Sequence, residues 1–376
     1  MLMPMARPWR SIAAAVGLLL AGGVAGCGGH GGTASTVRPA TRTVTVPAAR
    51  GGFQVGRECS RSSVGFTPLS DLGRGTYKGV QGGLYPHGQN VPPTSYLDAG
   101  RAAARQVRPL APNGTPNPSG RVVLLSIGMS NASRAFTGFI HLAAHDHTLT
   151  PGLISRPAPG SGGQGLLRRI HASEASLALD QQHAVLVNGA FPTFDAESMI
   201  RNSATYHRIV DTDLADAGVT SKQVQAVWLY EAIANEHEPF PTDAKHLERD
   251  LDALIAMLTR DFPNLRLVYL SSREYGGYAV HSINPEPYAY ESGFAVKWTV
   301  AARMADPGTR PWVAWGPYTW ADGTRARADG LTWSCADFAP DGTHPSLQGV
   351  EKLGRMLLDF FTTDPTTRTW FNAASR

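Results

Sequence analysis

The feature that most constrains this 376-residue chain is a recurrence of short apolar runs separated by long stretches of mixed polarity. The first, Val122-Val123-Leu124-Leu125-Ser126-Ile127, lacks the polar alternation of a half-exposed strand and suits one covered on both faces. Similar runs follow at 184–187, 224–229, 266–270 and 312–315, each separated from the next by enough chain for a crossover helix. Parallel strands require such crossovers, which lay helices over the sheet. The pattern predicts an α/β fold: a three-layer α/β/α sandwich around a roughly five-stranded parallel sheet. Amphipathic helices are expected at 243–261, where Leu247, Leu251, Leu254, Ile255 and Leu258 share a face, and at 346–361, where Val350, Leu353, Leu357 and Phe360 do. Residues 290–304 carry a weaker version of the same signal, and no internal repeat is visible.

The chain before residue 121 has a different character. Arg7 and Arg10 precede an apolar stretch at 11–26 that is too short for a permanent membrane span, which is the layout of an export signal. It ends in Val24-Ala25-Gly26-Cys27, which resembles the bacterial lipobox, where the cysteine is acylated and becomes the new N-terminus. That resemblance implies an exported protein held at the outer face of a bacterial membrane by lipid on Cys27; an ordinary secretory peptide would also place it outside. Residues 28–52 contain no acidic and no aromatic residue, so they cannot offset their ordering entropy by burial and read as a flexible tether. As a coil it would reach about 25–30 Å. Residues 53–120 are rich in Gly, Pro, Ser and Asn, with a helix suggested only at 99–107, and read as an irregular extension packed on the main domain at 121–376.

Charge excludes one class of partner. The formal net charge of +4 suggests polyanions, yet residues 1–50 hold five Arg and no acid, leaving 29 Lys+Arg against 30 Asp+Glu in the rest. A near-neutral domain lacks the basic stripe that nucleic-acid binding needs. With Cys27 assigned to lipid, Cys59 and Cys335 form an even pair in an oxidising compartment, where a disulfide is the economical reading and two separate buried thiols the other. Oligomeric state is not legible in the sequence.

In open α/β sheets the binding crevice lies beyond the carboxyl ends of the strands. Gly128-Met129-Ser130-Asn131 follows the first strand, so Ser130 stands on a tight turn at the crevice, as a nucleophile or as a helix N-cap. Asp341-Gly342-Thr343-His344-Pro345-Ser346 opens the last helix. A carboxylate three residues before an imidazole can orient one ring nitrogen and leave the other to take a proton from a hydroxyl; the alternative is a turn residue at Asp341, an exposed His344 and a helix cap at Ser346.

Together the Gly-x-Ser turn and the Asp-x-x-His-Pro turn resemble the first and fifth sequence blocks of the SGNH, or GDSL-type, hydrolase superfamily. The resemblance covers about residues 121–361 and implies a serine ester hydrolase with Ser130 as nucleophile, His344 as base and Asp341 as orienter. It requires no metal and no organic cofactor. It also implies an oxyanion hole from the N–H of Ser130, the N–H of Gly189 after the second strand, and the side-chain amide of Asn235 after the third. Two departures stand out: Asn235 lies further from its strand than the family's turn places it, so Glu231 could occupy the crevice instead, and Met129 stands where the family commonly has Asp, removing a carboxylate that braces the nucleophile loop. These departures keep open a non-catalytic, glycan-binding surface lipoprotein.

An enzyme outside the cytoplasm meets polar esters, so O-acetyl groups on glycans are the expected substrates, ahead of lipase or thioesterase substrates. Arg273, Tyr275, Tyr278 and Tyr288 follow the fourth strand or open the next helix and could form a sugar-facing wall, or else pack the rim. His141, His145, Asp146 and His147 are a compact set with no recognised zinc spacing, which polar residues at a helix end explain as well.

Overall fold

Each apolar run is a strand in the computed structural model: Val122–Gly128 (β1), Ala184–Asn188 (β2), Val224–Tyr230 (β3), Leu267–Ser271 (β4) and Trp312–Trp315 (β5). Every residue of all five is buried, the physical reason for their missing alternation. The strands pair in parallel in the order β2-β1-β3-β4-β5. Residues 56–145, 183–234, 237–280, 283–306 and 308–372 are described, all within the unit Phe53–Arg376. The chain steps from β1 outward to β2 and then back to the other side at β3. That reversal opens a crevice between the loops following β1 and β3.

Seven helices of six or more residues accompany the sheet among the described residues: Thr94–Ala104 (α1), Ser130–His145 (α2), Ala196–Arg201 (α3), Ser203–Asp216 (α4), Thr242–Asp261 (α5), Tyr288–Ala305 (α6) and Leu347–Thr363 (α7). Helix α2 packs on α7, and α5 packs on α3 and α6, the two groups flanking the sheet as outer layers. The predicted stripe of α5 is buried in full. On α7, Phe361 takes the fully buried place expected for Phe360. Helix α6 is buried on nearly every side, so its polar face is thin and its sequence periodicity weak.

Two contacts set the geometry of the crevice end. A Cβ on Gly138 of α2 would strike Val350 of α7, and one on Gly354 of α7 would strike the backbone of Gly138 and Phe139, so glycine permits the close approach of the two helices. Their N-termini therefore lie side by side. The extension is packed, as expected, but its helix starts at Thr94, directly after Pro92-Pro93, and ends before residue 107. Tyr96 Oη donates to Val313 O at 2.7 Å and Trp312 Nε1 donates to Tyr96 O at 3.0 Å, fastening α1 over β5. The Asp322 carboxylate accepts Ser63 Oγ and the N–H groups of Val64 and Gly65, at 2.6, 2.7 and 3.1 Å. Cys59 and Cys335 are joined, with Cα atoms 5.4 Å apart, a separation a disulfide spans readily.

Candidate active site

The turn after β1 is made possible by Gly128, whose φ is +151°. A Cβ there would run into the carbonyl of Tyr230 on β3 and the side chain of Ala132. The sharp turn starts α2 at Ser130 itself. The first N–H groups of a helix have no acceptor within it and carry its positive dipole end, so Ser130 sits where negative charge is stabilised.

The second half of the site is the turn before α7. Asp341 Oδ1 accepts the N–H groups of Thr343 and His344, both at 2.9 Å, and Ala339 N–H donates to His344 O at 2.7 Å. Gly342 has φ +68° and lies against the Tyr278 carbonyl, where a side chain would not fit. Ser346 caps α7 by accepting from Gly349 N–H at 3.3 Å. The turn is thus fixed from within before any substrate arrives.

These two turns meet. His344 Nε2 lies 2.8 Å from Ser130 Oγ, and His344 Nδ1 lies 2.7 Å from Asp341 Oδ2. Partial burial pushes the Asp341 carboxyl up, but hydrogen bonds from the His344 ring, the His344 N–H and the Thr343 N–H outweigh it and hold the group well below the usual carboxylate range. An ionised Asp341 favours the tautomer with the proton on Nδ1, leaving Nε2 to accept from Ser130.

The remaining sequence candidates divide. Gly189 is at the end of β2, but its N–H donates to Ser126 O at 3.1 Å, continuing the β1–β2 ladder, so it is not the free oxyanion donor expected. Asn235 lies outside the described residues. Glu231 and Arg273 are buried beneath the crevice, at 0% and 5% exposure, rather than exposed along it. Burial raises the Glu231 carboxyl, and burial lowers the Arg273 guanidinium to about 10. Tyr275 and Tyr278 do not form the expected wall: both rings are buried, and their hydroxyls end on Arg61 O at 2.7 Å and Trp333 O at 2.9 Å. Tyr288 is half-buried and stacks on His237, with ring centroids 4.0 Å apart. Asp146 and His147 lie outside the described residues, as do Cys27 and residues 1–55.

Sequence reasoning missed the residues that join the two turns. Asn131 Nδ2 donates to Thr343 O at 2.9 Å and to Glu274 Oε1, and Arg134 donates to Pro345 O at 3.1 Å. Asn188, next to Gly189, binds Ser126 Oγ at 2.9 Å, Ser133 O at 2.9 Å and Thr137 Oγ1 at 3.1 Å, locking β2 to α2. The adjacent charges Arg273-Glu274, placed directly after a buried strand, were the available signal for Glu274.

No family model and no curated protein matches the chain. Among solved structures, the extracellular lipase of Streptomyces rimosus is 12% identical, with 64% of this chain and 99% of that one covered and a TM-score of 0.29. The periplasmic domain of a lipopolysaccharide acetyltransferase from Salmonella Paratyphi A is 13% identical, with 70% and 95% covered and a TM-score of 0.31. The cell division protein FtsY of Thermotoga maritima, at 9% identity, 71% and 79% coverage and a TM-score of 0.28, stands at the same level.

Proposed function

We propose that the chain is an exported, lipid-anchored serine ester hydrolase whose nucleophile is Ser130. The observation that carries this reading is the relay Ser130 Oγ, His344 Nε2, His344 Nδ1, Asp341 Oδ2, with both links shorter than 3 Å. His344 takes the hydroxyl proton as Ser130 Oγ attacks the ester carbonyl carbon. The N–H groups at the start of α2 face the developing oxyanion. His344 then returns the proton to the departing alcohol, and water repeats the sequence to release the acid.

The leader and Cys27 support an extracytoplasmic site, and O-acyl esters of carbohydrates are the substrates proposed for it. Fatty-acid labelling of the expressed chain should mark the wild type and not Cys27→Ser; equal labelling would remove the anchor from this reading.

One observation favours a second reading, a glycan-binding lipoprotein without turnover: the Gly189 N–H is already bonded to Ser126 O. Hydrolysis of p-nitrophenyl acetate separates the two. The wild type should turn over and Ser130→Ala should not, by about 1000-fold or more. Equal rates in both would leave the binding reading standing.

A further inference from the structure

The relay joins groups on two turns far apart in the chain, and its geometry depends on how those turns are held together. The bond between Ser130 and His344 is itself a poor fastener, because it must break and reform in each turnover. A different side chain bridges the same gap. Asn131 is fully buried, and its amide nitrogen has two hydrogens. One goes to the carbonyl of Thr343, the residue before His344, at 2.9 Å. The other goes to Oε1 of Glu274, on the loop after β4.

Glu274 is held in turn. Its N–H donates to Tyr230 Oη at 3.2 Å, and Arg273 Nη2 lies 3.5 Å from its Oε1. Both Glu274 and Arg273 are buried, at 1% and 5% exposure. Burial pushes the Glu274 carboxyl up to about 8, so it is largely uncharged at neutral pH and accepts from Asn131 as a neutral group. Three loops, after β1, after β4 and before α7, therefore converge on one carboxamide. Met129, beside the nucleophile, has no carboxyl to offer the turn; Glu274 brings one from the loop after β4.

We infer that Asn131 and Glu274 are positioning residues: the Asn131 amide staples the Ser130 turn to the His344 turn through Thr343 O, and Glu274 fixes the amide's orientation. This rests on the ester-hydrolase reading of the same site. Neither residue exchanges a proton with substrate. Their contribution is to keep Ser130 Oγ and His344 Nε2 within bonding distance while the bond between them is broken and remade.

The test uses the full chain and p-nitrophenyl acetate. Asn131→Ala should lower kcat about 10- to 100-fold with KM unchanged, the loss expected for a displacement of about 1 Å at reacting groups. Glu274→Ala should fall similarly, whereas Glu274→Gln, isosteric and neutral, should restore most of the rate. The Asn131→Ala/Glu274→Ala double variant should be no slower than the worse single variant. An unchanged kcat in Asn131→Ala, a loss confined to KM, or additive losses in the double variant would each overturn the inference. Should Asn131→Ala fail to fold, the contrast between Glu274→Ala and Glu274→Gln decides the same question.

Failure of the enzymatic reading is seen separately, as Ser130→Ala retaining the wild-type rate. In that case the Nδ1–H proton signal of His344 in an NMR spectrum settles the staple. It should be sharp in the wild type and broadened or lost in Asn131→Ala, and an unchanged signal would reject it.

Discussion

Ser130 Oγ lies 2.8 Å from His344 Nε2 although 214 residues separate them in the chain. No local motif could produce that contact. It follows from the packing of α2 on α7, whose close approach at Gly138 and Gly354 brings two helix N-termini together. The site is therefore a property of the helix pair, and changes to either turn should act on the contact.

Asp341→Asn tests the orienting role. The amide would still accept from the Thr343 and His344 N–H groups, so the turn should survive. Its nitrogen, however, would face Nδ1 with a donor and favour the opposite tautomer, placing the proton on Nε2 where Ser130 needs an acceptor. Steady-state ester hydrolysis should fall about 100- to 10,000-fold, with a lowered melting temperature as well, because the hydrogen bonds that hold the carboxyl low stabilise the fold through its charged form. Retention of more than a tenth of the wild-type rate would remove Asp341 from the relay.

Gly128→Ala should be damaging for a steric reason. The residue stands at φ +151° with the Tyr230 carbonyl and Ala132 in the space a Cβ would enter. The strain and forced displacement should cost about 2–4 kcal/mol and move Ser130 with the turn. Denaturant titration measures the first and the rate the second. A variant of wild-type stability and rate would show that the turn has slack the structure does not display.

How much of this was legible follows from the physics of each signal. The five strands were readable because burial on both faces leaves unbroken apolar runs, and α5 and α7 because each has one apolar stripe. Helix α4 was missed: only Tyr206, Val210, Asp213 and Leu214 of its 14 residues are buried, and one of those is an acid. Ser130, Asp341 and His344 were readable because each stands on a local turn at a strand or helix end. The Asn131, Thr343 and Glu274 contacts were not, because they depend on which loop tips meet. Gly189 shows the cost of a boundary error, since β2 runs one residue further than its apolar residues and the ladder takes up the next N–H.

The Cys59–Cys335 link closes a loop of 276 residues between the extension and the 3-10 turn that precedes the Asp341 turn. Asp322 already ties the extension through Ser63, Val64 and Gly65, so reduction should loosen the extension without releasing it. Replacing either cysteine by serine, or adding reductant, should lower stability by about 2–4 kcal/mol, with kcat less affected because Asp341 and His344 are bonded within their own turn. Mass mapping under non-reducing conditions checks the pairing. Two free thiols under those conditions, or a melting temperature indifferent to reductant, would contradict it.

The buried carboxyls predict how stability changes with pH. Burial raises Glu274 to about 8, from an ordinary value of 4.5 that it regains on unfolding. Below 4.5 both states hold the proton and the group has no effect. Between 4.5 and 8 the unfolded chain releases the proton while the folded chain keeps it, so stability falls as pH rises through that window and levels off above it. Burial also raises Glu286 to about 7 and Asp213 to about 7, and these add slope of the same sign. Glu274→Gln removes one contributor. Its unfolding free energy should therefore drop less between pH 5 and pH 8 than the wild type's, by on the order of 1–3 kcal/mol, with the two proteins most alike near pH 4. Urea titrations at the three pH values measure this directly. Parallel curves for the two proteins would mean that Glu274 is ionised in the fold at neutral pH and that Arg273, 3.5 Å away, holds it as an ion pair.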